Sequence, residues 1–92
     1  MPLTKLEAEL RPIARERIAK GQLPQEAPSQ MWGGPGTGRP CALCDKPIPH
    51  DAVEYEVERQ IDGTLQSFRF HIVCQCVWQL ECARDDYLKK HP

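Results

Sequence analysis

Two pairs of metal-binding residue types are the clearest chemical signal in the 92-residue sequence. Cys41 and Cys44 form a C-x2-C pair, and His71 and Cys74 form an H-x2-C pair after an interval of 26 residues. Zn²⁺ takes four nitrogen or sulfur ligands in tetrahedral geometry, and a two-residue gap lets one tight turn direct two side chains at one ion. The spacing therefore predicts a single zinc ion held by Cys41, Cys44, His71 and Cys74.

Other residues compete with His71 for the fourth position. His50 follows the first pair and Cys76 lies two residues after Cys74, so either could replace the imidazole as a ligand. Strict strand alternation would point His71 away from the site, and it becomes a ligand only if its strand ends or twists there. For Cys76 and Cys82, packing on a helix face is the favoured interpretation.

A closed set of four ligands predicts a structural rather than a catalytic metal. A catalytic zinc keeps three protein ligands and an open position for water or substrate. The segment Gly33–Gly38 lacks the Gly-Lys-Ser/Thr sequence of a phosphate loop, and His50 is predicted to be a solvated turn residue. We therefore expect no enzymatic activity, and a metal-dependent hydrolase is the least favoured alternative.

Composition and charge limit the compartment and the partners. Twelve Lys and Arg against thirteen Asp and Glu give a formal charge of −1, without the basic surplus of a general nucleic-acid binder. No apolar run approaches the roughly 20 residues of a transmembrane helix or resembles a secretory signal. The sequence predicts a cytoplasmic protein with no membrane association, where five cysteines would stay reduced.

A β-hairpin is predicted between the two ligand pairs. Residues 53–58 alternate apolar and acidic side chains, and Asp62-Gly63 is a two-residue turn signal. With that turn as the loop, counting outward pairs Val57 with Phe68, Tyr55 with Phe70, and Glu56 with Arg69. The glutamates Glu54, Glu56 and Glu58 are predicted to form a solvated face that Arg69 partly neutralises.

Helical periodicity predicts an N-terminal helix over about residues 4 to 20. Thr4-x-x-Glu7 is a capping box and Gly21 a stop signal, whereas Pro12 predicts a kink or two short helices. Its apolar stripe comprises Leu3, Leu6, Leu10, Ile13, Ala14 and Ile18.

A second helix is predicted from about Ile72 onward, with Lys89 and Lys90 suited to its C-terminal end. One side of this helix carries Val73, Val77, Leu80, Tyr87 and Leu88, and an adjacent strip carries Cys74, Trp78 and Cys82.

These elements predict an α+β protein with three parts: an amphipathic helix at 1–21, a Pro/Gly-rich linker at 22–40, and a zinc-binding module at 41–92. Six of the nine prolines and five of the six glycines fall between residues 21 and 49, so that stretch is predicted to be largely irregular. Trp32, within the linker, is predicted to pack in the core rather than to be exposed.

The order of knuckle, hairpin and helix over residues 41 to about 90 resembles a treble-clef zinc finger. The C-x2-C and H-x2-C spacings are also similar to the first half of a LIM domain, although Cys76 and Cys82 have the wrong spacing for its second zinc site. More loosely, the whole chain resembles small uncharacterised bacterial zinc-binding proteins that join a helix, a Gly-Pro loop and a treble-clef module. The resemblance implies metal binding and little else about mechanism.

With catalysis disfavoured, binding of a protein partner is the predicted function, in an interaction or regulatory role. Nucleic-acid binding is the alternative, because Arg11, Arg15, Arg17 and Lys20 could contact phosphates, but acidic neighbours weaken it. The first 40 residues carry six basic and four acidic side chains, and the remaining 52 carry six and nine. A mildly basic arm thus precedes an acidic module.

Overall fold

The computed structural model describes residues 5–28 and 30–91 and contains two helices and three β-strands. The five elements are α1 (Lys5–Ala19), β1 (Trp32–Pro35), β2 (Val53–Ile61), β3 (Thr64–Phe70) and α2 (Ile72–Lys90). The three strands form one antiparallel sheet in the order β1-β2-β3. The predicted α+β class is therefore confirmed.

The β2–β3 hairpin has the predicted register. Its pairs include Tyr55 with Phe70, Glu56 with Arg69, and Val57 with Phe68. Both turn residues, Asp62 and Gly63, have positive φ (53° and 78°), as a two-residue hairpin turn compatible with the right-handed twist of the strands requires. This register places Val57 and Phe70 on the buried face of the sheet.

Strand β1 lies within the segment predicted to be an irregular linker, so that prediction is wrong for residues 32–35. Its first residue, Trp32, pairs with Glu56, and the side chain is 50% exposed rather than packed in the core. Glycine is needed just after β1, because a Cβ at Gly36 would overlap the Pro49 carbonyl oxygen. The Gly-rich composition here permits close backbone approach instead of preventing a strand.

Helix α1 runs without interruption through Pro12, so the expectation of two short helices is wrong. Pro12 is exposed, and the ring removes one backbone hydrogen bond without ending the helix. Leu6 and Ile13 of the predicted stripe are partly exposed, while the predicted residues Leu3 and Thr4 lie outside the described residues. The buried residues of α1 are Leu10, Ala14 and Ile18.

The side of helix α2 that faces the core is not its most aliphatic side. Trp78 is fully buried and stacks on Phe70 with 4.9 Å between ring centroids. This contact and the burial of Cys74 fix the rotation of the helix, so Leu80 and Tyr87 are 49% and 61% exposed. The inward face comprises Cys74, Gln75, Val77, Trp78, Glu81 and Cys82.

A buried carboxylate joins the two helices. The side chain of Glu81 is fully buried and accepts hydrogen bonds from the Nε atoms of Arg11 and Arg15, each at 2.9 Å. The same inward face of α2 also holds the chain that follows α1, because the Trp78 indole donates to the Pro24 carbonyl at 2.9 Å. Neither α1 nor α2 combines the length and hydropathy that a bilayer-spanning helix needs.

Candidate metal centre

The first ligand pair lies on a tight backbone knuckle. The Cys41 amide donates to the Lys46 carbonyl at 2.9 Å, and the Asp45 amide donates to the Cys41 carbonyl at 3.0 Å. Asp45 has a φ of 66°, which reverses the chain just after Cys44. The Leu43 amide lies 3.4 Å from the Cys41 sulfur, so the backbone solvates this sulfur. These bonds direct both cysteine side chains to one side of the turn.

The second pair lies where β3 gives way to α2. The strand ends at Phe70, and His71 has extended φ and ψ angles (−65° and 163°) as the residue that caps the helix. Because the strand ends here, strict alternation no longer applies to His71, which was the condition for its becoming a ligand. The Ala42 amide donates to the Arg69 carbonyl at 2.7 Å and thus ties the knuckle to the end of β3.

The four predicted ligands come together in the fold. The sulfur atoms of Cys41, Cys44 and Cys74 and one ring nitrogen of His71 all lie within 4.8 Å of one another. The Nδ1 atom of His71 is 3.4 Å from the Cys44 sulfur and 3.9 Å from the Cys74 sulfur. With bonds of about 2.3 Å to sulfur and 2.0 Å to nitrogen, a tetrahedral zinc separates a nitrogen and a sulfur ligand by about 3.5 Å and two sulfur ligands by about 3.8 Å. The group could therefore hold a zinc-type ion.

The hydrogen bonding of His71 favours the tautomer that a metal ligand needs. Its Nε2 atom lies 3.2 Å from the Pro47 carbonyl oxygen, which can only accept a hydrogen bond. In this bond Nε2 carries the proton, and Nδ1 keeps its lone pair directed at the three sulfur atoms. Ligating histidines commonly donate the other ring N–H to a carbonyl in this way.

The competing residues lie elsewhere. Nδ1 of His50 is 2.8 Å from the Gly36 carbonyl oxygen, and the residue is an exposed turn residue, as predicted. Cys76 is exposed, so the prediction that it packs on a helix face is wrong. Cys82 is buried, and its thiol donates to the Pro24 carbonyl at 3.5 Å, in agreement with the packing interpretation.

Three thiols in one place cannot all ionise easily without a cation. The hydrogen bond from Cys74, helped by the surrounding backbone amides, lowers the pKa of Cys41 to about 4, against the effect of burial. The same bond to Cys41 and burial raise the pKa of Cys74, and burial raises that of Cys44. A single thiolate is thus favoured, and a divalent cation would supply the charge needed to ionise the other two.

Arg17 supports the knuckle, whereas the sequence suggested it only as a possible contact for phosphates. Its guanidinium donates to the Ala42 carbonyl at 2.6 Å and to both Asp45 carboxylate oxygens, at 3.2 and 2.6 Å. The hydrogen bonds with Asp45 raise the pKa of Arg17, and the Arg17 guanidinium lowers the pKa of Asp45. Helix α1 thereby holds the knuckle from outside, a contact over 25 residues that no local spacing indicates.

The basic residues that could have contacted phosphates, and the glutamates of β2 that were predicted to be solvated, have partners within the chain. Besides Arg17, Arg11 and Arg15 contact Glu81, and Lys20 contacts Glu16 at 2.7 Å. Arg69 lies 2.8 Å from Glu56 and 3.4 Å from Glu54, as its predicted neutralising role requires. Glu54, however, is buried and accepts a hydrogen bond from the Thr37 hydroxyl at 2.7 Å, so the prediction of a solvated side chain is wrong there.

Comparisons of the chain with protein families, with curated protein sequences and with solved structures found no match. The resemblance to a treble clef therefore rests on the order of the elements and on the four clustered ligands.

Proposed function

We propose that this chain is a small zinc-binding protein whose single metal ion is structural. The observation that carries this proposal is the convergence of the side chains of Cys41, Cys44, His71 and Cys74, with their ligand atoms within 4.8 Å. Three thiols and an imidazole are donors that suit zinc, and four protein ligands leave no open position for a substrate. On this proposal the protein is not an enzyme.

The treble clef is the arrangement we propose for residues 41 to 90. It is supported by the knuckle at Cys41 and Cys44, the β2–β3 hairpin, and a helix whose first turn carries Cys74. The residues around the site have separate roles in this arrangement. Pro47 orients the imidazole of His71, and Arg17 fixes the backbone between the two knuckle cysteines.

Zinc would supply much of the folding free energy of so small a domain. A core of this size rarely provides more than about 3 to 5 kcal/mol. A structural zinc in a small finger contributes about 10 to 16 kcal/mol of apparent binding free energy, which becomes folding free energy where the site forms only on folding. The bound ion would join the knuckle to the start of α2 and hold Trp78 against Phe70.

The test is metal analysis combined with chelation. We expect one zinc per purified chain, four protein ligands by X-ray absorption, and loss of the near-UV circular dichroism of Trp78 on chelation at neutral pH. The variant Cys41→Ser should lose zinc and fold poorly, whereas the matched variant Cys76→Ser, at an exposed cysteine, should keep both. A metal-free protein that stays folded would contradict the proposal.

For the binding role, we propose a protein partner before a nucleic acid. The support is that four of the six basic side chains in the first 40 residues pair with carboxylates, and that apolar side chains on α2 are exposed. A protein interface dominated by apolar contacts would change little between 50 and 200 mM salt. A nucleic-acid complex with six phosphate contacts would lose at least about a thousandfold in affinity over that range.

A further inference from the structure

The outward face of α2 carries an apolar stripe along most of its length. We call this stripe the α2 seam; its residues are Val73, Cys76, Leu80, Ala83 and Tyr87. Val73, at its first position, is half-buried and also packs against the core. Their spacing of three and four residues alternately is that of a helix that packs lengthwise on another helix. Leu80 is 49% exposed and Tyr87 61%, and Cys76 and Ala83 are exposed as well. A surface helix normally carries polar residues on the face opposite the core.

We propose that the α2 seam packs antiparallel against the α2 seam of a second copy of this chain. In this register Leu80 faces Ala83 of the second copy, Tyr87 faces Cys76, and the alkyl stem of Lys90 faces Val73. Large side chains thus meet small ones in the layers around Leu80 and Tyr87, the alternation by which helices interdigitate.

A groove beside the seam fits the same occupant. It has a volume of about 600 Å³ and lies between α2 and Met31, next to Cys76 and Leu80. In the antiparallel register the ring of Tyr87 from the second copy lies over this groove. Aromatic rings make favourable contacts with the sulfur atoms of Met and Cys, and Met adapts its shape to an incoming ring.

Charge also favours the antiparallel orientation. Gln79, whose amide donates to Gln75 at 2.6 Å, then lies beside Asp86 of the second copy, a carboxylate that pairs with Lys90 of its own chain at 3.1 Å. Lys90 lies towards the N-terminal end of the second helix, which carries the metal centre. There a zinc ion (two positive charges) and three cysteine thiolates (three negative charges) would leave a net charge of −1. This pairing rests on the proposed zinc-loaded fold. A parallel orientation would instead place Lys90 against Lys90 of the second copy.

The size of the seam determines how tightly the copies would bind. From Val73 to Tyr87 the helix advances about 21 Å at 1.5 Å per residue. A strip about 10 Å wide along that length covers a few hundred square ångströms on each copy, less than the roughly 800 Å² per partner of standard stable complexes. We therefore expect a concentration-dependent dimer with a Kd above about 1 μM.

Sedimentation velocity of the zinc-loaded full chain between 1 and 500 μM tests the pairing. The wild-type chain should shift from monomer to dimer in this range, and Leu80→Glu should weaken the dimer at least tenfold. The matched control is Leu65→Glu, at a 59% exposed leucine on β3 outside the seam, which should leave the Kd unchanged. A wild-type chain that stays monomeric at 500 μM overturns the inference.

Disulfide cross-linking tests the register. With diamide as the oxidant, Tyr87→Cys should form a covalent dimer through Cys76 of the second copy, and the additional change Cys76→Ser should abolish it. A strong Cys76–Cys76 cross-link in the wild-type chain would indicate a parallel pair and overturn the proposed register. Zinc content and near-UV circular dichroism are measured on each sample. A zinc-loaded, folded monomer refutes only the pairing, whereas a folded chain without zinc refutes the proposed function.

Discussion

Removing the buried carboxylate of Glu81 should weaken the packing of α1 on α2. This side chain is fully buried, and two arginines of α1 donate to it: Arg11 at 2.9 Å, and Arg15 at 2.9 and 3.0 Å to its two oxygens. The change Glu81→Ala leaves both guanidinium groups without their carboxylate and opens a small void between the helices. We expect a loss of stability well above that of an ordinary surface ion pair.

The magnitude follows from the exposure of the three side chains. Removing one partner of a fully buried ion pair costs about 3 to 5 kcal/mol, because a buried charge is left uncompensated. Here the arginine side chains are 27% and 44% exposed, so water can solvate both guanidinium groups after the carboxylate is gone. We therefore expect Glu81→Ala to lower the free energy of unfolding by about 2 to 3 kcal/mol.

Urea unfolding of the zinc-loaded protein at a fixed free zinc concentration measures this loss, because bound ligand itself stabilises the fold. With an m-value of about 1 kcal/mol/M, the midpoint should fall by about 2 to 3 M. The matched control is Glu16→Ala, which removes an exposed helical pair with Lys20 and should cost less than about 0.5 kcal/mol.

Two results would refute the reasoning about Glu81. One is a loss for Glu81→Ala no larger than that for Glu16→Ala. The other is simple additivity with Arg15→Ala, because residues that share one buried contact should show a coupling free energy of at least about 0.5 kcal/mol.

Three further predictions concern other parts of the chain. Gly36→Ala should destabilise the fold by about 2 kcal/mol or more in urea unfolding, because the new Cβ would overlap the backbone of residue 49, whereas Gly34→Ala, which meets open space, should be nearly neutral. Burial raises the pKa of Cys82 to about 11, so stability should fall as pH rises from about 8.5, where the unfolded thiol ionises, towards 11. A Cys82→Ala variant should lack this fall, and an identical pH profile would contradict the assignment. Arg17→Ala should weaken zinc affinity on the order of tenfold in competition with a chromophoric chelator, whereas an unchanged affinity, equal to that of the control Lys20→Ala, would rule out a positioning role.

Spacing along the chain was sufficient to predict the features that depend on neighbouring residues. The hairpin register follows from the turn at Asp62-Gly63 and from strand alternation, and structure and sequence agree on Val57 with Phe68. The ligand pairs follow in the same way, because each pair needs only a tight turn and the hairpin between them brings both to one end.

Features that depend on distant residues could not be predicted from the sequence. Strand β1 was missed because its glycines and proline look irregular until β2 supplies a partner. The rotation of α2 was missed because Trp78 and Cys74 outweigh the more aliphatic strip with Leu80 in the packed fold. The contacts of Glu81 with α1 join residues 66 and 70 positions apart, a separation at which periodicity carries no information.

That separation between α1 and Glu81 also has a consequence for biosynthesis. At roughly 5 to 20 residues per second, a ribosome needs about 3 to 14 s to add the 66 to 70 residues that separate the arginines from their carboxylate. Until that carboxylate has been added, α2 cannot cover the apolar stripe of α1, which comprises Leu10, Ala14 and Ile18. Charged side chains beside a hydrophobic segment oppose aggregation, so we expect Arg11 and Arg15 to have this role before they bind Glu81.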